Sequence, residues 1–426
     1  MKFTKFNIIV FIISITISLI FFSYVYYKSE IFAAGNKHDY YFKYYVATYV
    51  LFLFSVLTLF FNKKTLFACL SIIISSSVAI FAVELFLTIN LKKYPSAKLK
   101  YTDEFKKNDP SIVPIIYYAD HNKINLYKEI VPLAGISNKK TIFCQEDGPM
   151  IEYKSDRFGF NNFDFIWDKK NIFAVTIGDS FTHGACVDTK NTIANNIDKD
   201  EFLLNLGIGG TGPLIQFATV KEYLKRVNPK RIIWIYYEEN DFADLIFEKS
   251  DPILKKYLED ENFSQQLISK QKNINKKLIT TLHREIDDRN KIKKDNLKKF
   301  IKLTSVRKMF LDNPAAYKIK TPKDFINIIK KTKKIADERN LKFYFVYLPE
   351  KNRFTKGLAN DKNYRNYYEV VDIIKNLNIP FIDLKNEFNK LPEPIDLYSK
   401  KFFHLNISGY KTAAELINEK IKEFEQ

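Results

Sequence analysis

Cysteine is scarce in this chain, at three residues in 426, with neither a Cys-x-x-Cys pair nor a Cys/His cluster at metal-binding spacing. A disulfide-knit scaffold is therefore excluded, and no metal or cofactor is expected. Also lacking is any pattern of exposed aromatics set among basic residues, although the net charge is +18. Much of that excess lies in Lys-rich helical stretches between Lys255 and Lys334, interleaved with Asp and Glu. A solvated helical face accounts for the charge, and no nucleic-acid partner is expected. The hydrophobic fraction of 46% is that of a protein with a real core, in one large or two ordinary domains.

The apolar residues are concentrated at the start. Residues 6–27, 44–61 and 66–89 are nearly uncharged and rich in Ile, Phe and Val, and are read as three transmembrane helices within a membrane region spanning 1–92. A secretory signal is the alternative for the first, since Lys2 and Lys5 precede it and Ala33-Ala34-Gly35 follows, but no clean cleavage site comes directly after the apolar run. Glu84, costly in lipid, belongs near the interface or against a partner helix. Lys2, Lys5, Lys63 and Lys64 place the start and the second loop in the cytoplasm, so the C-terminal part faces outward from the cell (inner) membrane. Lys92, Lys93, Lys98 and Lys100 argue the other way.

Residues 93–168 read as a loop-rich lead-in, with Ser155–Asn162 as an ordered turn. From 169 to 426 apolar strands alternate with helices: strands near 172–177, 201–206, 231–237, 341–348 and 380–384, helices near Thr192 and over 213–227, 322–339, 363–377 and 408–426. This alternation predicts a three-layer α/β domain, flavodoxin-like, with a mostly parallel sheet. Residues 251–313 form a charged helical insertion.

Polar residues gather where these strands stop. Gly178-Asp179-Ser180 ends the first strand, Gly209-Gly210 follows the second, and Asn240-Asp241 follows the third. All three turns fall on one edge of a parallel sheet, the edge where such sheets bind ligands. His404 precedes the last helix and can take a proton from Ser180. The backbone N–H groups of Ser180 and Gly210 and the Asn240 amide make a set of donors for an oxyanion. Taken singly, each has a plainer role: a strand stop, a tight turn, a helix cap, a core histidine. Cys144 and Cys186 are either two buried thiols or a disulfide tying the lead-in to the loop after Ser180.

In this order, Ser180, Gly210, Asn240 and His404 resemble the four residues that name the SGNH (GDSL-type) hydrolase superfamily. The resemblance covers about 171–426, and the Gly-x-Ser-x-Gly elbow of ordinary α/β-hydrolases is absent. It implies a nucleophile Ser180, a base His404, and an oxyanion hole of Ser180, Gly210 and Asn240. Two positions depart from the family pattern. Glu239 stands where the third block has glycine, and Lys401 stands three residues before His404, where the family has its aspartate. Asp396, from the preceding loop, is the expected acid, with Glu393 and the more distant Asp383 as other carboxylates; a backbone carbonyl orienting a Ser–His dyad, or an inactive site, are the alternatives.

What the resemblance implies, together with the membrane anchor, is an esterase acting on O-acyl, chiefly O-acetyl, esters of cell-surface carbohydrate. Two other functions share the residues. One is an O-acetyltransferase of polysaccharide supplied by a partner membrane acyltransferase, and the other is a non-catalytic glycan-binding or assembly subunit.

Overall fold

The computed structural model describes residues 4–32, 38–91, 109, 111–116, 130–287, 297–310, 321–355 and 364–426. The chain divides into two compact units, Met1–Tyr94 with Arg289–Lys320, and Pro95–Asp288 with Thr321–Gln426.

In the first unit three helices follow one another: α1 (Lys5–Tyr26), α2 (His38–Leu57) and α3 (Lys63–Leu91). Lys5–Phe32 and Lys63–Thr88 are long and apolar enough to cross a membrane; the apolar part of α2, Tyr41–Leu57, is shorter. Of the three expected spans, the first and third have the length and composition to cross a membrane among the described residues, and the second is a shorter apolar helix. Part of the expected insertion belongs to this unit. Glu84 on α3 is buried and accepts the backbone N–H groups of Ser305 and Val306, at 3.0 and 2.8 Å, from the short helix Thr304–Phe310. Phe300 packs on Phe81 and the Arg307 guanidinium donates to the Tyr44 hydroxyl. Glu84 is accordingly satisfied by backbone donors, which removes much of the cost of its burial.

The second unit is a parallel sheet with helices on both faces. Its lead-in contributes strands β1 (Ile112–Pro114), β2 (Lys140–Ile142) and β3 (Glu152–Lys154), with β1 parallel and β3 antiparallel to β2. An ordered three-stranded sheet thus stands where the sequence predicts a loop-rich lead-in, because three-residue strands are too short to show a period. The main sheet comprises β4 (Ala174–Gly178), β5 (Leu203–Asn205), β6 (Arg231–Tyr237), β7 (Lys342–Leu348) and β8 (Phe381–Asp383), ordered β5-β4-β6-β7-β8 with every pairing parallel. Numbered from the first strand this is 2-1-3-4-5, the flavodoxin-like order.

Strands buried on both faces need apolar residues without alternation, which explains the runs Arg231-Ile-Ile-Trp-Ile-Tyr-Tyr237 and Lys342-Phe-Tyr-Phe-Val-Tyr-Leu348. Successive side chains then separate to opposite faces. Ile233, Ile235, Tyr237, Tyr344 and Val346 join the core formed with the last helix, Ile407–Glu425, through Tyr410, Ala413 and Ile417. Trp234, Tyr236 and Phe345 go to the other face, where Phe325 of the helix Lys323–Glu338 meets Tyr236 and Phe345.

Candidate active site

β4 lies between β5 and β6, so the turns that follow these three strands stand side by side at one edge. The turn after β4 is tightly specified. Gly178 has φ 155°, and a Cβ there would lie 2.5 Å from the Ile235 carbonyl oxygen, so a side chain is excluded. Asp179 then caps the single-turn helix Ser180–His183, accepting the Phe181 N–H at 3.0 Å. Ser180 thereby projects from the sheet edge, half-buried, at the start of that helix.

His404 arrives from the far end of the chain, on a loop closed by the bridge between Tyr398 and Leu405. Its Nε2 lies 3.0 Å from Ser180 Oγ. Its Nδ1 lies 2.5 Å from Glu146 Oε1, and the two side chains are 12% and 9% exposed. An ionised carboxylate only accepts, so Nδ1 carries the hydrogen and Nε2 presents its lone pair to the Ser180 hydroxyl. Ser180 Oγ also lies 3.2 Å from Asp179 Oδ2. Burial raises the pKa of Asp179 and raises that of Asp241 more strongly, the charge of Asp179 adding to the second shift.

The carboxylate at His404 is therefore not Asp396. Asp396 is exposed on the turn Pro394–Leu397 and borders an open cleft of about 560 Å³ shared with Lys351, Lys400 and Lys401. Its carbonyl oxygen accepts the Asn406 amide at 2.7 Å, a local turn contact. Glu393 is exposed as well, and Asp383 is engaged with Tyr367 and Asn386. Glu146 sits at the tip of the β2–β3 hairpin, in the lead-in. The tip is closed by bonds between Phe143 and Ile151 and between Ile151 and Cys144, at 2.8 and 2.9 Å.

Cys144 and Cys186 form a disulfide. It joins the hairpin to the loop six residues beyond Ser180, and Ile115, Phe143, Tyr153 and Ala185 pack beside it. Glu146, Cys186 and His404 bring ligand-type atoms within 4.8 Å of one another, but the Cys186 sulfur is already bonded to Cys144.

The oxyanion candidates occupy the flanking turns. Gly210, φ 77°, follows β5, and the loop leading to it is fixed by the Ile208 N–H on the Gly178 carbonyl at 3.2 Å. The Gly209 N–H donates to Nδ1 of His183 at 3.1 Å, while His183 Nε2 meets the Tyr153 hydroxyl at 3.0 Å. His183 is fully buried, and that burial pushes its pKa down to about 3, so it is a neutral structural histidine. Asn240 follows β6 and donates one amide N–H to Asp244 at 3.0 Å. Glu239 beside it accepts the Tyr237 hydroxyl at 2.9 Å.

Fold and site together define a flavodoxin-like α/β domain with a serine–histidine pair at the carboxyl edge of its sheet. No family model matches the chain, and no curated protein does. Among solved structures it is similar to a lipase/acylhydrolase from Enterococcus faecalis, with 14% identity and a TM-score of 0.33 over 59% of this chain and 96% of that one. It is also similar to an acetyl xylan esterase, AlAXEase, at 12% identity and TM-score 0.32, over 59% of this chain and 99% of that one. A lipolytic protein of the G-D-S-L family from Veillonella parvula aligns at 13% identity and TM-score 0.28, over 59% and 96%. Likeness this distant bears on neither activity nor substrate.

Proposed function

We propose that this chain is a membrane-anchored serine esterase that works through a covalent acyl-Ser180. The observation that carries the reading is the 3.0 Å approach of His404 Nε2 to Ser180 Oγ at the ligand-binding edge of a parallel sheet. In the reaction, His404 takes the hydroxyl proton at Nε2 as Oγ bonds to the ester carbonyl carbon. The resulting oxyanion is met by donors from the turns of Ser180, Gly210 and Asn240. His404 returns the proton to the departing alcohol, and water, deprotonated by the same nitrogen, releases the acid.

The substrate class is an O-acyl, chiefly O-acetyl, ester of cell-surface carbohydrate. Support comes from the SGNH-like order of the four residues and from two helices long enough to anchor the chain in a membrane. Purified full-length chain in detergent, incubated with an aryl acetate and with acetylated polysaccharide, tests the reading. Release of acetate that disappears in Ser180→Ala and His404→Ala is expected. Acetyl transfer to an added sugar, in place of release to water, would make the same acyl-enzyme that of a transferase. No turnover, together with no fluorophosphonate labelling of Ser180, would refute the esterase.

A further inference from the structure

We propose that Glu146 is the positioning carboxylate of His404, delivered by the β2–β3 hairpin in place of an acid on the histidine's own loop. The proposal rests on the esterase reading and names the group that makes its base competent. Three observations carry it. First, among the described residues the Glu146 carboxylate has one hydrogen-bond partner, His404 Nδ1 at 2.5 Å, and its second oxygen is buried without a partner. A carboxylate held only for the packing of a surface hairpin would keep its second oxygen in water.

Second, the hairpin tip is pinned to both halves of the catalytic pair. The Cys144–Cys186 disulfide holds it to the segment after Ser180. The neighbouring carboxylate, Asp147, accepts the N–H of Lys400 at 2.8 Å and of Lys401 at 3.3 Å, just ahead of His404. Third, the His404 loop is gripped from its other side. The Lys351 ammonium donates to the carbonyl oxygens of Ser399 at 2.5 Å, Phe402 at 2.9 Å and Lys400 at 3.3 Å. An anion thus binds the loop's N–H groups and a cation its carbonyls, and the loop keeps its shape with an exposed Lys401.

The proton accounting is simple. The Ser180 hydroxyl proton goes to Nε2, the Nδ1 hydrogen stays on the ring, and Glu146 remains ionised opposite the imidazolium. A neutral amide at 146 removes that charge and also allows the wrong tautomer, since its NH₂ can donate to Nδ1.

The test compares Glu146→Gln, Glu146→Asp and Asp396→Asn in the full-length chain, by the fluorophosphonate labelling rate of Ser180 and by aryl acetate kinetics. Glu146→Gln is expected to slow labelling and kcat at least about 100-fold with KM little changed, on the scale of an acid-to-amide change in a serine triad. Glu146→Asp recovers part of the rate, and Asp396→Asn matches the parent. A Glu146→Gln rate within about threefold of the parent, or an equal loss in Asp396→Asn, overturns the proposal and leaves the esterase standing. If the parent neither turns over nor labels, the esterase reading fails by itself. The positioning contact is then read by proton NMR. A strongly deshielded Nδ1–H resonance, lost in both Glu146→Gln and His404→Ala, supports it; the same resonance retained in Glu146→Gln overturns it. Matching thermal midpoints of parent and variants establish that the fold survived.

Discussion

Replacing Cys144 and Cys186 together by serine removes a link that spans 42 residues of sequence. In the chain-entropy account, a cross-link closing a loop of that length restricts the unfolded chain by about 4 kcal/mol at 25 °C. The figure is a ceiling, because the hairpin keeps other attachments. The β2–β3 ladder persists, the Phe143 ring still packs tilted against the His183 ring with centroids 4.4 Å apart, and Asp147 still accepts from Lys400 and Lys401. The expected loss is therefore about 2–4 kcal/mol in the folding stability of the second unit, read by denaturant titration in detergent with and without a dithiol reductant. The fluorophosphonate labelling rate of Ser180 should fall at denaturant concentrations well below the unfolding midpoint, because the hairpin carrying Glu146 loosens before the sheet melts. Loss of less than about 0.5 kcal/mol with an unchanged labelling rate would show that packing alone holds the hairpin, and would refute the strap.

Two further positions test other contacts of the domain, one beside the site and one remote from it. His183→Phe removes the acceptor of the Gly209 N–H and is expected to lower kcat about tenfold or more through the Gly210 turn, with KM little moved; His183→Asn, whose side-chain oxygen can accept that N–H, should restore much of it. The pH–rate profile should not shift, since His183 stays neutral above about pH 3. At the other end of the sheet, hydrogen bonds from Arg231, joined by Tyr344, hold Glu425 near a pKa of about 2, below its ordinary 4.5. A depressed carboxylate contributes stability that is fully present above the unfolded value and is lost as pH falls through the folded one. Glu425→Gln should accordingly lower the thermal midpoint at pH 7 and differ little from the parent near pH 2. An equal deficit at both pH values would exclude the charge as its cause.

The sheet was legible because its strands are buried on both faces and so read as unbroken apolar runs; the run Arg231–Tyr237 coincides with β6. Ser180 was legible because Gly178-Asp179-Ser180 interrupts such a run. Glu146 was not, since its bond to His404 spans 258 residues and it rides a hairpin of three-residue strands that shows no period. Asp396 is the nearer carboxylate in sequence, but its side chain faces solvent, whereas Glu146 is carried to His404 by a hairpin 258 residues earlier in the chain. One signal was nevertheless present. A disulfide between Cys144 and Cys186 brings residues 145–147 beside the turn of Ser180, and two of those three residues, Glu146 and Asp147, are carboxylates.

The described part of the lead-in is thus built into the α/β domain rather than a tether to it. Asp156, fully buried, gathers the N–H groups of Phe158, Phe160, the Asn162 amide and the Trp167 indole, and burial still raises its pKa to about 6. That knot aims two side chains at the site loops. Asn161 donates to the His183 carbonyl at 3.0 Å, and Asn162 exchanges two 2.8 Å bonds with the backbone of Asn205, covering the exposed edge of β5. With Tyr153 on His183, the disulfide on the loop beyond Ser180, and Glu146 on His404, the same segment touches the nucleophile turn, the Gly210 loop and the base. A serine esterase needs those three held to within about 0.5 Å of their productive geometry. Strands β4 to β8 bring the loops to one edge, but the contacts that set their mutual positions come in large part from residues before 169.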